Sequence, residues 1–334
     1  MLNSLRREIK TRIGRAIGYR RPFVSFVLIV YDMPDQAANT VRSLMAGYQR
    51  GVSPDDYEVL VIENASNNNM DPAFIKQMPG NFRYILRQET EPTPIHAIND
   101  GIRWANSGNV CVMIDGARLI TPGVVRNTIL GHKMVPRAIV TVPGYHLGRE
   151  LQQKAVTSGY DYEHERQLMA AISWPDDGYR LFEIAVFSGS CSPGFYLPHG
   201  ESNCISMPRE LWRELGGYDA KFNTRGGGLV NLDMYKRACE TPNTRLIMLH
   251  GEGTFHQFHG GVTTGGEDED TRQQFIDVIQ AQYESLRGQR YSNPETDPIY
   301  LGEISGPALQ FIHNSSMKKM KRLGIAPEPE SVSA

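Results

Sequence analysis

The 334-residue chain has no apolar run approaching the roughly 18 residues that span a bilayer. The longest, 23–31, has the length of a buried strand. Cysteine is sparse: Cys111, Cys191, Cys204 and Cys239 stand far apart and form no C-x-x-C pair. That argues against structural zinc and against a disulfide framework, and for a reducing compartment. Neither charge is in excess. Lys plus Arg is 35 and Asp plus Glu is 37, a formal net charge of -2, which excludes a generally basic nucleic-acid binder. G-x-x-x-x-G-K-[ST], G-x-G-x-x-G and G-x-S-x-G are all missing, which argues against P-loop, dinucleotide and hydrolase-elbow chemistry. No repeat is visible. The first 22 residues lack the apolar stretch and cleavage site of a secretory signal, so the expected place is the cytoplasm.

What is present is enough to fold. Hydrophobic residues are 40% and charged residues 22%, which supports a sizeable core. Residues 1–22 carry seven Arg or Lys against Glu8, with Leu2, Leu5, Ile9, Ile13 and Ile17 at helical spacing. They read as a basic amphipathic segment, either packed on the domain or in peripheral contact with the inner face of a membrane. Buried strands are expected at 23–31, 57–63, 82–86, 109–114 and 138–142, with helices at 34–50, 94–106 and 122–134. Helix is expected through 149–172, then irregular chain to 200, a strand at 203–207, helices at 208–215 and 228–238, a strand at 244–249 and a helix at 270–287. This alternation predicts an α/β fold with a mostly parallel sheet flanked by helices. The expected divisions are 1–22, a main domain at 23–265, a helical extension at 266–325 and a disordered tail at 326–334.

Ligands of open α/β sheets sit beyond the carboxyl ends of the strands. There the sequence places Tyr31 and Asp32, then Glu63 and Asn64, then Asp115, Gly116, Ala117 and Arg118. An aromatic ring and several carboxylates on one edge suit a base, a ribose and a metal-bound diphosphate. The order of motifs resembles the family-two glycosyltransferases of the GT-A fold. The resemblance is carried by Val30-Tyr31-Asp32, Val61-Ile62-Glu63-Asn64-Ala65-Ser66, Ala97-Ile98-Asn99-Asp100-Gly101 and Ile114-Asp115-Gly116-Ala117. It continues in Asn203-Cys204-Ile205-Ser206-Met207-Pro208-Arg209 and Leu215-Gly216-Gly217-Tyr218-Asp219. It implies a nucleotide-diphospho-sugar donor of the UDP or GDP type and a glycan or lipid-linked acceptor in cell-surface glycan synthesis. It also implies an acceptor-side subregion around 200–233. Tyr31 and Glu63 would hold the base, Asp115 would face the ribose and the diphosphate, and Asn99 would support the loop beneath.

Two departures from that pattern matter. The second aspartate of D-x-D is Ala117, which offers no oxygen ligand to a divalent cation, Mn or Mg. His256 and His259, in a late segment rich in Gly, His and Gln, are the expected replacements beside Asp115. The position of the family's catalytic base holds Asn231, which accepts no proton. Asp233, Glu201 and Glu252 then remain as candidates. Ala117 and Asn231 also leave open a GT-A-like binding or scaffold protein without catalysis. The acidic run 267–270 reads as a helix start, and Tyr162-Glu163-His164-Glu165 reads as helix-surface charge pairing.

Overall fold

The computed structural model describes residues 21–89, 91–260 and 269–325. The expected amphipathic segment, apart from Arg21 and Pro22, and the tail at 326–334 lie outside them, as does 267–268 of the acidic run. Among the described residues, no helix is long and apolar enough to cross a membrane.

Strands β1 (Val24–Val30), β2 (Tyr57–Asn64), β3 (Phe82–Arg87) and β4 (Asn109–Met113) lie parallel in the order β3-β2-β1-β4. The sheet continues from β4 through β9 (Cys204–Pro208), β6 (Ala138–Thr141), β10 (Arg245–Leu249) and β12 (Ile299–Leu301). Among these strands β9 alone runs against its neighbours β4 and β6. All seven residues of β1 are buried, as expected of a strand covered on both faces. Its alternation divides the core. Val27 and Ile29 join one apolar cluster, with α3 (Ile95–Trp104), α7 (Arg209–Glu214) and α8 (Val230–Glu240). Phe26 and Leu28 join another, with α1 (Pro34–Leu44) and α4 (Val124–Met134). Each fully buried aliphatic side chain contributes about 1.5–3 kcal/mol. The A-x-N-x-G motif has a packing reason: a Cβ on Gly101 would overlap Val27 and meet Ile62 Cδ1 at 2.8 Å.

The structure departs from the sequence reading in several places: the helix expected over 34–50 ends at Leu44, and the expected helical extension contributes β12 to the main sheet. The helix expected over 149–172 is broken. A short α5 (Gln152–Ala155) and one 3₁₀ turn end at Gly159, which is left-handed (φ 87°), before α6 (Tyr162–Ala171). More important is a second sheet, in the order β5 (Arg118–Ile120), β11 (Thr254–His256), β7 (Gly144–Leu147), β8 (Ala185–Phe187). Strands of three or four residues are too short to show a period of two. Their inner face supplies Leu119, Phe255 and Tyr145 to a third apolar cluster, with Phe182 and Phe311. Tyr145 stacks on Phe255 with ring centroids 5.0 Å apart. The remaining described α-helices are α2 (Pro72–Lys76), α9 (Glu269–Arg287) and α10 (Leu309–Arg322).

Candidate functional site

Asp115 follows β4 in a tight turn, where its Oδ1 accepts from the Ala117 N–H at 2.9 Å. Gly116 lets that turn close on the end of β1. A Cβ there would lie 2.9 Å from the Ile29 carbonyl oxygen and 3.2 Å from Met33 Sδ. Ala117 is fully buried in the cluster formed with β1, α1 and α4. A carboxylate at 117 would be desolvated without a partner, at a cost of several kcal/mol, so the second D-x-D ligand has no room here.

The second sheet supplies what Ala117 cannot. Arg118 on β5 is the cross-strand partner of His256 on β11, and His146 on β7 is the partner on the other side. Because side chains alternate along a strand, these three share the face opposite Leu119, Phe255 and Tyr145. His256 Nε2 lies 3.0 Å from Asp115 Oδ2. His259 Nε2 lies 3.1 Å from His256 Nε2 and 3.8 Å from Asp115 Oδ1. The ligand atoms of Asp115, His256 and His259 all fall within 4.8 Å of one another.

The tautomer of His256 is fixed from behind. Its Nδ1–H donates to Gln152 Oε1, and Gln152 Nε2 donates back to the His256 carbonyl at 2.9 Å. The Nε2 lone pair is thereby aimed at Asp115 and His259, as a ligating histidine requires. Burial pushes the His256 imidazole down to about 4, so it is neutral near pH 7. Burial opposes ionisation of Asp115, but His256, His259 and Arg118 outweigh it and hold the carboxyl well below its usual range. Arg118 is 7% exposed, with Nε 3.5 Å from Asp115 Oδ2. Among the described residues, its Nε and Nη1 are buried without a hydrogen-bond partner. A guanidinium left so is costly in the free protein and is prepared for an anion.

The segment that carries the two histidines is held on three sides. Gln257 N donates to the Ala117 carbonyl at 2.8 Å, and Gln257 Nε2 donates to the Gln36 carbonyl on α1 at 3.0 Å. Phe258 N donates to Glu165 Oε2 on α6 at 2.9 Å. Glu165 and Gln152 were not among the expected site residues. They stand some hundred positions before the residues they hold, so no local pattern marks them. Glu165 is buried rather than on the helix surface; Glu163 makes an exposed pair with Arg166.

At the open side, Tyr31 is 57% exposed and Asp32 is exposed as well, with φ 54°. This left-handed conformation is one that Asp tolerates better than most side chains. A cleft of about 330 Å³ is lined here by Asp32, Asp35, Gln36, Asn68, Tyr162 and His259.

Other expected site residues are turned to structural work. Glu63 is 0% exposed; it accepts from Met70 N at 3.0 Å and from the Tyr84 hydroxyl. It fastens the 64–70 loop rather than facing a base, and burial raises its pKa. Asn64 is buried, within 3.4 Å of Arg87 Nη1. Asn99 bonds both the N–H and the carbonyl of Tyr218, each within 2.9 Å, and so pins the G-G-Y-D turn. Asp233 is no free base. Arg237 Nε and Arg287 Nε reach its two oxygens at 2.7 and 2.6 Å. Glu252 is buried, accepting from Thr121 Oγ1, from Tyr179 Oη at 3.0 Å and from Asn127 Nδ2 at 3.0 Å.

Burial pushes the Glu252 carboxyl up to about 7 from its ordinary 4.5. Between those values the folded state keeps a proton that the unfolded chain has lost. The contribution of Glu252 to stability is therefore full below about pH 4.5 and is lost as pH rises to 7, by an amount on the order of 3 kcal/mol. Glu165, also pushed up to about 7 by burial, adds in the same direction. Buried neutral His132, His146 and His256 act in the opposite direction below about pH 6.5, so the test is a difference: relative to wild type, Glu252→Gln is expected to make the urea midpoint at pH 8 higher compared with pH 5. A pH dependence identical to wild type would place the titration elsewhere.

Residues 25–177 match the model of the family described as Glycosyl transferase family 2. No curated protein matches the chain. Among solved structures, the 1–349 fragment of S. aureus TarS is 9% identical, with a TM-score of 0.48 over 79% of this chain and 72% of that one. The same fragment in complex with UDP-GlcNAc is 9% identical over 90% and 73%, with a TM-score of 0.48. The mannosyltransferase PcManGT from Pyrobaculum calidifontis, in complex with GDP-Man and Mn2+, is 14% identical over 92% and 72%, with a TM-score of 0.47.

Proposed function

We propose that this chain, a family 2 glycosyltransferase over residues 25–177, transfers a sugar from a nucleotide-diphospho-sugar of the UDP or GDP type to a hydroxyl of a glycan or lipid-linked acceptor. The observation that carries this reading is the convergence of Asp115, His256 and His259 beside the buried guanidinium of Arg118, whose Nε and Nη1 meet no hydrogen-bond partner among the described residues. All four lie at the end of β4, where an open α/β sheet takes its ligands. The leaving group of such a transfer is a nucleoside diphosphate, and its negative charge grows as the bond to the anomeric carbon breaks. Fixed positive charge aimed at that position lowers the barrier.

Two imidazole nitrogens and one carboxylate fit a divalent cation, and the histidines favour Mn over Mg, which prefers oxygen ligands. Such an ion, held by Asp115, His256 and His259, would supply charge to the diphosphate. Arg118 adds a second cation from the neighbouring strand. Tyr31 offers an exposed ring on which a base could stack, and Asp32 a carboxylate for ribose hydroxyls. Attack on the face opposite the departing diphosphate inverts the anomeric carbon.

The alternative of a partner-binding scaffold is disfavoured by Arg118. A chain without catalysis has no evident need to keep buried guanidinium donors that meet no hydrogen-bond acceptor among the described residues. The test is release of nucleoside diphosphate from a panel of UDP- and GDP-sugars, with Mn and with EDTA. Release from at least one donor, suppressed by EDTA, is expected. No release from any donor under either condition would refute the proposal.

A further inference from the structure

Strand β9 lies antiparallel between β4 and β6, with Cys204 opposite Met113. The residues that lead into β9 therefore leave the sheet at the edge where the residues after β4 leave it. Asp115 is two positions beyond Met113, and Glu201 is three before Cys204. Glu201 is half-buried. Its Oε1 accepts from Ser190 Oγ at 2.8 Å and its Oε2 from Asn231 Nδ2 at 2.7 Å. Both donors are neutral, and among the described residues no ion pair reaches it.

The direction of the Asn231 amide is determined by its surroundings. Its Oδ1 accepts from the buried Tyr218 hydroxyl at 3.2 Å. Its nitrogen faces Glu201, the Ser202 carbonyl at 3.3 Å and Asn203 Oδ1 at 3.4 Å. All three are acceptors, so a flipped amide would set oxygen against oxygen. The carboxylate is thus held in place by two hydrogen bonds while retaining lone pairs on both oxygens. The other candidate carboxylates are committed: Asp233 to two arginines, Glu252 and Glu63 to buried donors, and Asp115 to His256, His259 and Arg118.

We propose that Glu201 is the general base of the transfer, positioned by Asn231 and Ser190; this rests on the transfer reading above. The acceptor hydroxyl oxygen bonds to the anomeric carbon and its proton passes to Glu201. The bond from that carbon to the diphosphate oxygen breaks, and its electron pair leaves with the nucleoside diphosphate. Water in place of the acceptor follows the same balance, which allows a test without knowing the acceptor.

Glu201→Gln keeps both hydrogen bonds, with Oε1 toward Asn231 and Nε2 toward Ser190 Oγ, but takes up no proton. With the donor panel in water plus Mn, its diphosphate release is expected to fall by about a hundredfold or more. Calorimetric affinity for UDP or GDP with Mn should stay within about twofold of wild type. Adding Asn231→Asp returns a carboxylate to the neighbouring position and should recover about tenfold or more of the loss. Release within about threefold of wild type in Glu201→Gln, or a loss that Asn231→Asp does not recover at all, overturns the assignment. A wild-type protein that binds neither nucleotide with Mn and releases none overturns the transfer reading, and the base with it.

Discussion

Asp115→Asn is expected to lower nucleoside diphosphate release by about a thousandfold, the scale of removing a charged group from a preorganised site. Asparagine keeps the shape of the turn, since its side-chain oxygen can still accept from Ala117 N as Asp115 Oδ1 does. What it loses is the negative charge that His256 and His259 face at 3.0 and 3.8 Å. Ala117 offers no substitute, so no local carboxylate takes over. Stability should fall by about 1–2 kcal/mol, because Arg118 loses a buried anionic neighbour. The far-ultraviolet circular dichroism should be unchanged. Turnover within tenfold of wild type would show that the diphosphate is bound elsewhere.

Arg118→Met separates activity from stability. It removes buried Nε and Nη1 donors that meet no hydrogen-bond partner among the described residues, but it also takes from Asp115 the cation 3.5 Å away, so the two effects offset and stability should change by less than about 1 kcal/mol. Diphosphate release should nonetheless fall by about a hundredfold, because the charge facing the leaving group is gone. Thermal unfolding and turnover on one preparation check both halves. A destabilised variant with normal turnover would make Arg118 a structural residue and remove it from the site.

Much of the large sheet is legible in the sequence because its strands are long and buried on both faces. Runs such as 23–31 and 57–63 have no rival reading, and the glycine of A-x-N-x-G sits where helix and strand touch. The second sheet is illegible because three-residue strands such as Arg118–Ile120 and Thr254–His256 carry no period of their own. They exist because Leu119, Phe255 and Tyr145 bury their side chains together, which is a tertiary fact. The grouping of Asp115 with His256 was reachable, since a missing D-x-D ligand directs attention to donors elsewhere. Gln152 and Glu165 were not, because their partners, His256 and Phe258, are 104 and 93 residues away. Glu63 and Asp233 show the converse. Both stand where a motif suggests chemistry, yet one holds Met70 and Tyr84 and the other holds Arg237 and Arg287. A carboxylate at a strand end or a helix start is drawn to nearby N–H groups and guanidinium groups as readily as to a ligand.

The most direct measurement is the affinity of the protein for UDP and GDP across a Mn titration, by calorimetry, for wild type and for His256→Ala. If Asp115, His256 and His259 form the diphosphate site, at least one nucleotide binds, and its affinity rises with Mn and collapses with EDTA. His256→Ala should then require at least about tenfold more Mn to reach the same affinity. Nucleotide affinity that ignores Mn, EDTA and His256→Ala alike would contradict the account.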